Sequence, residues 1–224
     1  MPAETPRRPC CDQDFERLFD AREAAHDLDQ WRRGALPAAT RELIDALRAT
    51  GVEGATLLDI GAGVGVIHLE LLEAGAASAV DVDASSAYLE VAAAEAARRG
   101  LADRVTYRHG DVVEIADTLA PAHIVTLDRV ICCYPDLPSL LAAAARAEPR
   151  VVGLVHPTDR WWMRASMTVF NALGRLLRRH HSFYVHRRAE IDGLMRDAGF
   201  GESHRGGGRV WQVVVYRRST ASRA

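Results

Sequence analysis

The sequence predicts an α/β fold built on a parallel sheet. From residue 56 onward, short apolar and β-branched runs alternate with amphipathic helical segments, as in proteins with a parallel sheet. The first run leads directly into a glycine-rich turn at 61–65. The chain has 224 residues and is 48% hydrophobic, which suffices for one large domain with a sizeable core.

Two helices are predicted before the first strand. Residues 12–33 have helical periodicity with Asp12 as a plausible N-cap, and residues 37–48 have a second apolar face. We expect residues 1–50 to form an N-terminal helical arm or lid, and residues 51–224 to form the main domain.

The strands and helices of the main domain follow from local pattern. The predicted strands are 56–60, 78–82, 104–109, 123–127, 150–155 and 210–216, with Gly206, Gly207 and Gly208 as a turn before the last. The predicted helices are 64–74, 85–99, 138–146 and 187–198.

Residues 157–183 interrupt this alternation and predict an inserted helical cap. Its polar stripe has helical spacing and consists of Arg164, Thr168, Asn171, Arg175 and Arg178. The opposite side is apolar and contains Trp162, Met163, Met167, Val169, Phe170, Leu173, Leu176 and Leu177. Four side chains of the insert, Trp161, Trp162, Met163 and Met167, line a substrate cavity or simply pack the insert. Four arginines, Arg160, Arg164, Arg178 and Arg179, pair with a substrate carboxylate or form a solvated basic surface.

The charge is unevenly distributed, although the net charge is only −2. Residues 146–224 carry 15 arginines and 6 acids, which suits nucleic acid, anionic lipid, an acidic substrate or a plain solvated surface. All 28 basic residues are arginine. The absence of lysine excludes a P-loop nucleotide site and enzymes that form a lysine Schiff base.

The termini and the cysteines predict a cytoplasmic protein. Residues 1–8 lack the apolar segment of a signal peptide, and no run of about 18 apolar residues occurs. The cysteines form two adjacent pairs, Cys10-Cys11 and Cys132-Cys133, which is not a secreted disulfide framework. We expect buried thiols and no metal; a four-thiolate site for a soft metal is the alternative.

The glycine-rich turn predicts a nucleoside cofactor that has an amino-acid tail. A dinucleotide fingerprint needs a third glycine at position 66, which is Val66, so the order here is G-x-G-x-G. Asp59 precedes the turn, where it would repel a diphosphate and orient an ammonium group. The predicted contacts to this end of the cofactor are Asp59, Gly61, Ala62, Gly63 and Gly65.

Three further segments follow successive strands and complete the predicted cofactor site. Asp81 and Val82 end the second strand, where a carboxylate accepts both ribose hydroxyls. The other two segments are Gly110-Asp111-Val112, suited to the amine of an adenine, and Asp128-Arg129 after the fourth strand. The alternatives are that Asp59 caps a helix, that Asp81 or Asp83 is a surface turn acid, and that the glycines serve helix–strand packing.

In this order the segments resemble the class I S-adenosylmethionine-dependent methyltransferases, over residues 51–216. The resemblance implies a Rossmann-like, seven-stranded, mostly parallel sheet whose last strand is antiparallel. It also implies S-adenosylmethionine as the cofactor and S-adenosylhomocysteine as its product. Asp59 and residues 61–65 would hold the methionine end, Asp81 the ribose, and Asp111 with Val112 the adenine.

We expect a small, partly apolar organic substrate, and a monomer or homodimer with at most peripheral membrane contact. Nucleic-acid base methylation is disfavoured, because the segment at 128–131 lacks the Asn/Asp-Pro-Pro-aromatic run of enzymes that methylate exocyclic amines. Metal-dependent catechol methylation is disfavoured by the segment at 156–159, which does not supply the expected acids and asparagine.

Residues 128–136, the arm and the insert also resemble the magnesium-protoporphyrin O-methyltransferase branch. The sequence departs from that branch at Cys133-Tyr134-Pro135, where the branch has His-Tyr-Pro. A distinct small-molecule methyltransferase is therefore the main expectation. O-methylation of a porphyrin propionate and a non-catalytic cofactor-binding or regulatory protein are the alternatives.

The substrate side of the sheet provides the candidate catalytic residues. From their positions after the strand ends, we predict His156 as a general base, with His186 second, and Tyr134 as a further catalytic residue. The predicted substrate pocket comprises Trp31, Cys133, Tyr134, Trp161, Trp162 and His186. For each histidine the alternative is a hydrogen-bonded structural role.

Overall fold

The computed structural model describes residues 15–177 and 182–219. It contains one seven-stranded sheet with strand order β3-β2-β1-β4-β5-β7-β6. Strands β1 to β5 are parallel, and β7 runs antiparallel to both of its neighbours, β5 and β6. The predicted fold class is confirmed. The strands are β1 Thr56–Ile60, β2 Ser78–Asp83, β3 Val105–His109, β4 Ile124–Asp128, β5 Val151–Pro157, β6 Phe200–Gly207 and β7 Trp211–Arg218.

The edge strand β6 was not among the strands that the local pattern predicts. Its sequence, FGESHRGG, has no β-branched residue, and its outer edge is solvent-exposed. Pairing with β7 creates it, in a register that runs from Phe200↔Arg218 to Gly207↔Gln212. Gly206 and Gly207 therefore lie in a strand, and only 208–210 form the turn.

Nine α-helices lie in the described ranges, and two further 3-10 turns follow α5 and α6. The helices are α1 Phe15–Leu18, α2 Ala21–Arg32, α3 Ala38–Arg48, α4 Val66–Glu73, α5 Ser86–Arg98, α6 Val112–Ile115, α7 Leu137–Arg146, α8 Trp161–Leu176 and α9 Arg188–Asp197. No helix in those ranges has the length and apolar character needed to cross a membrane.

The predicted helix over 12–33 is interrupted at Asp20. The Asp20 carboxylate accepts hydrogen bonds from the backbone N–H groups of Arg22 (2.9 Å) and Glu23 (3.0 Å), which caps α2 and starts a new helix. Asp12, the expected cap, lies outside the described residues.

The core has one layer on each face of the sheet. On one face α2 to α5 pack with residues such as Leu43, Leu47 and Leu69. On the other face α6, α7 and α9 pack with residues such as Leu140 and Ile191. The carboxyl ends of the strands, where the order reverses between β1 and β4, are left open at the top of these layers.

A buried carboxylate ties α2 to the main sheet. Glu95 on α5 accepts hydrogen bonds from Arg98, Arg99 and Arg32, the last at 2.6 Å from α2. These guanidinium groups, with Arg98 the strongest, lower the pKa of Glu95 to about 2. Arg99 also covers the ring of Trp31 at 4.0 Å, so the same cluster fixes that indole beside the glycine turn.

The insert forms one helix, α8, as its periodicity predicts. The sequence predicts that the apolar side of this helix packs inside the protein or lines a cavity. The structure orients that side differently. Its inward stripe is Met163, Met167, Asn171 and Gly174. Most of its large apolar side chains point outward, and Trp161 is 81% exposed.

Candidate active site

Two neighbouring cavities open at the carboxyl ends of β1, β2 and β4. The larger has a volume of about 990 Å³ and the smaller about 220 Å³. Both are bordered by Asp27, Gly61, Gly63, Asp128 and Arg129, so these residues lie between the two cavities. This is the place where open α/β sheets bind ligands.

The glycine turn leaves its backbone open to this space. Gly61 has φ +61°, and a Cβ there would lie 2.6 Å from Cγ2 of Val130, so the position accepts only glycine. Gly61, Ala62 and Gly63 line the cavities as expected. Gly65 lines neither cavity; a Cβ there would lie 2.8 Å from the ring of His68, so this glycine serves helix packing.

Asp59 holds the turn from beneath. It is buried, and its oxygens accept hydrogen bonds from Thr126 Oγ1 (2.6 Å), from His68 Nδ1 (3.0 Å) and from the His68 backbone N–H (3.3 Å). The carboxylate also borders the smaller cavity. These donors give Asp59 a role in fixing the turn, and its contact with a ligand ammonium stays a prediction.

The predicted ribose acid, Asp81, is not at the site. Its side chain is fully buried in the middle of β2, opposite Asp59 of β1 and Tyr107 of β3. Neither oxygen has a hydrogen-bond partner among the described residues. Burial, followed by repulsion from Asp59 and Asp83, raises the pKa of Asp81 well above its usual value.

Asp83 occupies the position expected of a ribose acid, and the sequence analysis missed it. β2 runs one residue further than predicted and ends at Asp83, which borders the larger cavity. Its carboxylate accepts the N–H groups of Gly63 (3.2 Å) and Ser85 (2.9 Å). Burial raises the pKa of Asp83 to about 6 against the opposing effect of these hydrogen bonds.

The segment after β3 also borders the larger cavity, as predicted. Gly110, Asp111 and Val112 line it together with Val82. The hydroxyl of Tyr134 donates to both Asp111 oxygens, at 3.0 and 2.9 Å, and Asp111 also accepts the Val113 N–H that caps α6. Tyr134 thus positions Asp111, which does not match its predicted role as a catalytic residue.

The segment after β4 separates the two cavities. The Asp128 carboxylate accepts a hydrogen bond from Thr40 of α3 (2.6 Å) and from Nε of Arg129 (3.2 Å). Burial raises the pKa of Asp128. Arg129 has φ +60° and its N–H donates to Val155 of β5, so this strained residue turns the chain toward the cavity wall.

Residues 130–134 form that wall, and His186 fixes it from behind. The Nε2–H of His186 donates to the carbonyls of Ile131 (2.9 Å) and Tyr134 (3.1 Å), and its ring stacks on Tyr184. Cys133 lines the larger cavity, with its Sγ 3.8 Å from that of Cys132. Because its Nε2 proton is engaged and it borders neither cavity, His186 is a structural residue rather than a base.

Three other predicted residues lie away from the site. His156 is buried on β5, its Nδ1 contacts the Pro157 carbonyl at 2.9 Å, and desolvation lowers its pKa. It borders neither cavity, so the structure does not support its prediction as a base. Trp161 and Trp162 also line neither cavity, whereas Trp31 lines the smaller one.

The geometry is that of a cofactor site, and the sequence family agrees. A sequence model of the family described as "Methyltransferase domain" matches residues 57–148, which include the glycine turn, Asp83, Asp111 and Asp128. Residues 57–148 therefore match a methyltransferase domain. No curated protein shows significant sequence similarity to the chain.

The solved structures that resemble this methyltransferase domain cover nearly the whole chain. Magnesium protoporphyrin IX methyltransferase from Synechocystis PCC 6803 has 20% identity and a TM-score of 0.66 over 87% of this chain and 95% of that one. An O-methyltransferase family protein from Burkholderia thailandensis has 18% identity and a TM-score of 0.69. That match covers 95% of this chain and 64% of the other. Geranyl diphosphate C-methyltransferase from Streptomyces coelicolor A3(2) has 15% identity and a TM-score of 0.63. That match covers 81% of this chain and 77% of the other.

The arm contributes an acid to the methyltransferase site that the sequence did not indicate. Asp27 of α2 borders both cavities and accepts a hydrogen bond from the Tyr88 hydroxyl (2.8 Å). Its position depends on the docking of α2 against α5, which no local pattern encodes. Among the described residues no group of three or more His, Cys, Asp or Glu could hold a metal ion, and Cys10 and Cys11 lie outside those residues.

Proposed function

We propose that the protein transfers the methyl group of S-adenosylmethionine to a small, partly apolar organic molecule. The larger cavity carries this proposal. Its volume, about 990 Å³, lies at the upper end of the roughly 300–1,000 Å³ of small-molecule sites. A second molecule therefore has room beside the cofactor.

The residues around the cavity fit this cofactor. Asp83 accepts the ribose hydroxyls, and Asp111 accepts the amine of the adenine. The backbone at 61–63 and the carboxylate of Asp27 receive the methionine end. When bound, the cofactor supplies an electrophilic methyl carbon on a sulfonium sulfur.

The chain contributes orientation and the exclusion of water. Methyl transfer is an in-line displacement, so a rigid wall that aims the nucleophile accounts for much of the rate. That wall is the 130–134 segment fixed by His186, with Phe183 and Trp211 as apolar cover. Charge is dispersed during the step, which an apolar surrounding favours.

Of the described histidines, His109 alone borders the larger cavity, and it lies at the rim. Its side chain is 54% exposed, and its Nε2 lies 2.9 Å from Glu16. A nucleophile that is already ionised at neutral pH, such as a carboxylate, needs no base. This favours O-methylation of a carboxylate among the possible acceptors.

Porphyrin propionate is the second candidate acceptor. It is favoured because a propionate is also an ionised carboxylate that needs no base. It is also favoured because the structure of the magnesium protoporphyrin IX methyltransferase matches this chain over nearly its own whole length. Cys133 replaces the histidine of that branch at the cavity wall. A propionate carries its own negative charge, so this replacement is compatible with propionate esterification.

Label transfer tests the proposal. Methyl-labelled S-adenosylmethionine is incubated with the protein and either magnesium protoporphyrin or a small-molecule extract of the source cells. We expect label in a small organic molecule, and transfer that is reduced in Asp83→Asn but retained in Asp81→Asn. If S-adenosylhomocysteine binds but no fraction acquires label, the protein is a non-catalytic binder and the proposal fails.

A further inference from the structure

The outer face of α8 is an uncovered apolar surface. Of the seven large hydrophobic side chains exposed in the described ranges, six lie on this helix or at its last turn. They are Trp161, Val169, Phe170, Leu173, Leu176 and Leu177. Single exposed apolar residues are ordinary, but a contiguous group marks an interaction site.

The charge along the edge of this face is positive. At 3.6 residues per turn, Arg164 and Arg175 lie on one side of the apolar arc, next to Thr168. Arg160 precedes the helix at the end that bears Trp161. The sequence has seven arginines and no acid between residues 160 and 189.

We propose that the outer face of α8 binds the surface of an anionic lipid bilayer. An apolar stripe with aromatic and leucine side chains beside arginines is the pattern of a helix that lies in the membrane interface. Each arginine near an anionic surface strengthens the attraction. The apolar side chains then insert while Arg164 and Arg175 contact the headgroups.

Two other occupants fit the charge less well. A symmetric contact with a second copy would bring together two faces that both have a positive edge, and like charges repel. The segment at 1–14 has Met1 as its only large aliphatic or aromatic side chain, too little to cover six apolar residues.

The helix is connected to the cavity, which gives docking a consequence. The Asn171 side chain donates to the Phe183 carbonyl (2.7 Å) and accepts the Phe183 N–H (3.0 Å). The rings of Phe170 and Phe183 lie 5.7 Å apart, and Phe183 lines the larger cavity. If the proposed function holds, a bilayer at α8 would therefore lie close to the substrate end and favour a lipophilic acceptor.

Vesicle cosedimentation of the full chain tests the docking without any activity measurement. The probes are vesicles of phosphatidylcholine alone and of phosphatidylcholine mixed with phosphatidylglycerol. We expect binding to the anionic vesicles only, weakened by salt because the Debye length falls from about 10 Å at 0.1 M to about 3 Å at 1 M. Absence of binding to anionic vesicles overturns the proposal.

Matched surface variants locate the contact. Val169→Ser with Leu176→Ser is expected to weaken vesicle binding at least tenfold, since both side chains are exposed. Arg164→Ala with Arg175→Ala is expected to weaken it about 30-fold, at about fivefold for each arginine. The control variant, Arg196→Ala, removes an exposed arginine from α9 and should leave binding unchanged.

Two further measurements separate the outcomes. Each variant should retain its affinity for S-adenosylhomocysteine, which shows that the fold and the cofactor site are intact. An equal loss of vesicle binding in Arg196→Ala overturns the assignment to α8. So does light scattering that shows a dimer which Val169→Ser with Leu176→Ser converts to monomer, since a second copy then covers the face.

Discussion

Exchanging one of two neighbouring acids for asparagine distinguishes the ribose ligand from a buried structural residue. Asp83→Asn changes a carboxylate that borders the larger cavity, whereas Asp81→Asn makes the same change two residues earlier, inside the sheet. The sequence pattern favoured Asp81, and the structure favours Asp83. The two variants are isosteric, so each serves as the control for the other.

The expected loss follows from the contacts of Asp83. Each oxygen accepts one backbone N–H, from Gly63 at 3.2 Å or from Ser85 at 2.9 Å. A carboxylate has about four acceptor positions, so each oxygen keeps one for a ribose hydroxyl. Asparagine keeps one accepting oxygen, so one hydroxyl contact is lost. A hydrogen bond to a charged group contributes about 1.5–3 kcal/mol, which corresponds to about 10- to 150-fold.

Isothermal titration with S-adenosylhomocysteine at pH 8 measures this loss. We expect Asp83→Asn to bind about 10- to 150-fold more weakly than the wild type, and Asp81→Asn to stay within about threefold. Circular dichroism confirms that both variants are folded. Wild-type affinity in Asp83→Asn, or a tenfold loss in Asp81→Asn alone, would refute the placement of the ribose at Asp83.

The remaining predictions concern pH and stability. Because the pKa of Asp83 is raised to about 6, cofactor affinity should be full at pH 8 and fall as the pH drops through about 6. Titrations at pH 5 and 8 check this, and an equally steep fall in Asp83→Asn would contradict it. The raised pKa of Asp81 means that the folded state holds this proton more tightly than the unfolded state, so its contribution is present at low pH and lost as the pH rises. In urea unfolding, the free energy of unfolding of Asp81→Asn should therefore rise relative to that of the wild type as the pH goes from 4 to 9; a difference between the two that does not vary with pH speaks against it. Gly61→Ala should lower the free energy of unfolding by about 1–3 kcal/mol, because its Cβ would meet Val130 at positive φ. Adding Val130→Ala should recover part of that loss, and an unchanged stability of Gly61→Ala would rule out the clash.

Part of the site was visible in the sequence because it depends on local geometry. A strand that enters a glycine turn, as at 56–65, requires the backbone conformation that Gly61 adopts. Gly110, Asp111 and Val112 follow β3 directly, so their approach to the cavity also follows from chain order. The family model matched residues 57–148, the part that contains these segments.

Other residues were misplaced because register and packing decide them. Asp81 and Asp83 lie on the same face of β2, since side chains alternate with a period of two. Only the pairing of Asp83 with His109 shows that the strand continues to the cavity edge. His156 likewise follows a strand pattern, but antiparallel pairing with Gln212 of β7 encloses it within the sheet.

The sequence by itself determined strands β1 to β5 and β7, the glycine turn and the cofactor class, because each is encoded by residues adjacent in the chain. Tertiary structure alone decided that Asp27 joins the cavity, that β6 forms at the sheet edge, and that the apolar side of α8 points outward. These features depend on contacts between segments far apart in sequence. Local periodicity predicts that a helix has an apolar side, but it does not predict which other part of the protein, or which partner, that side contacts.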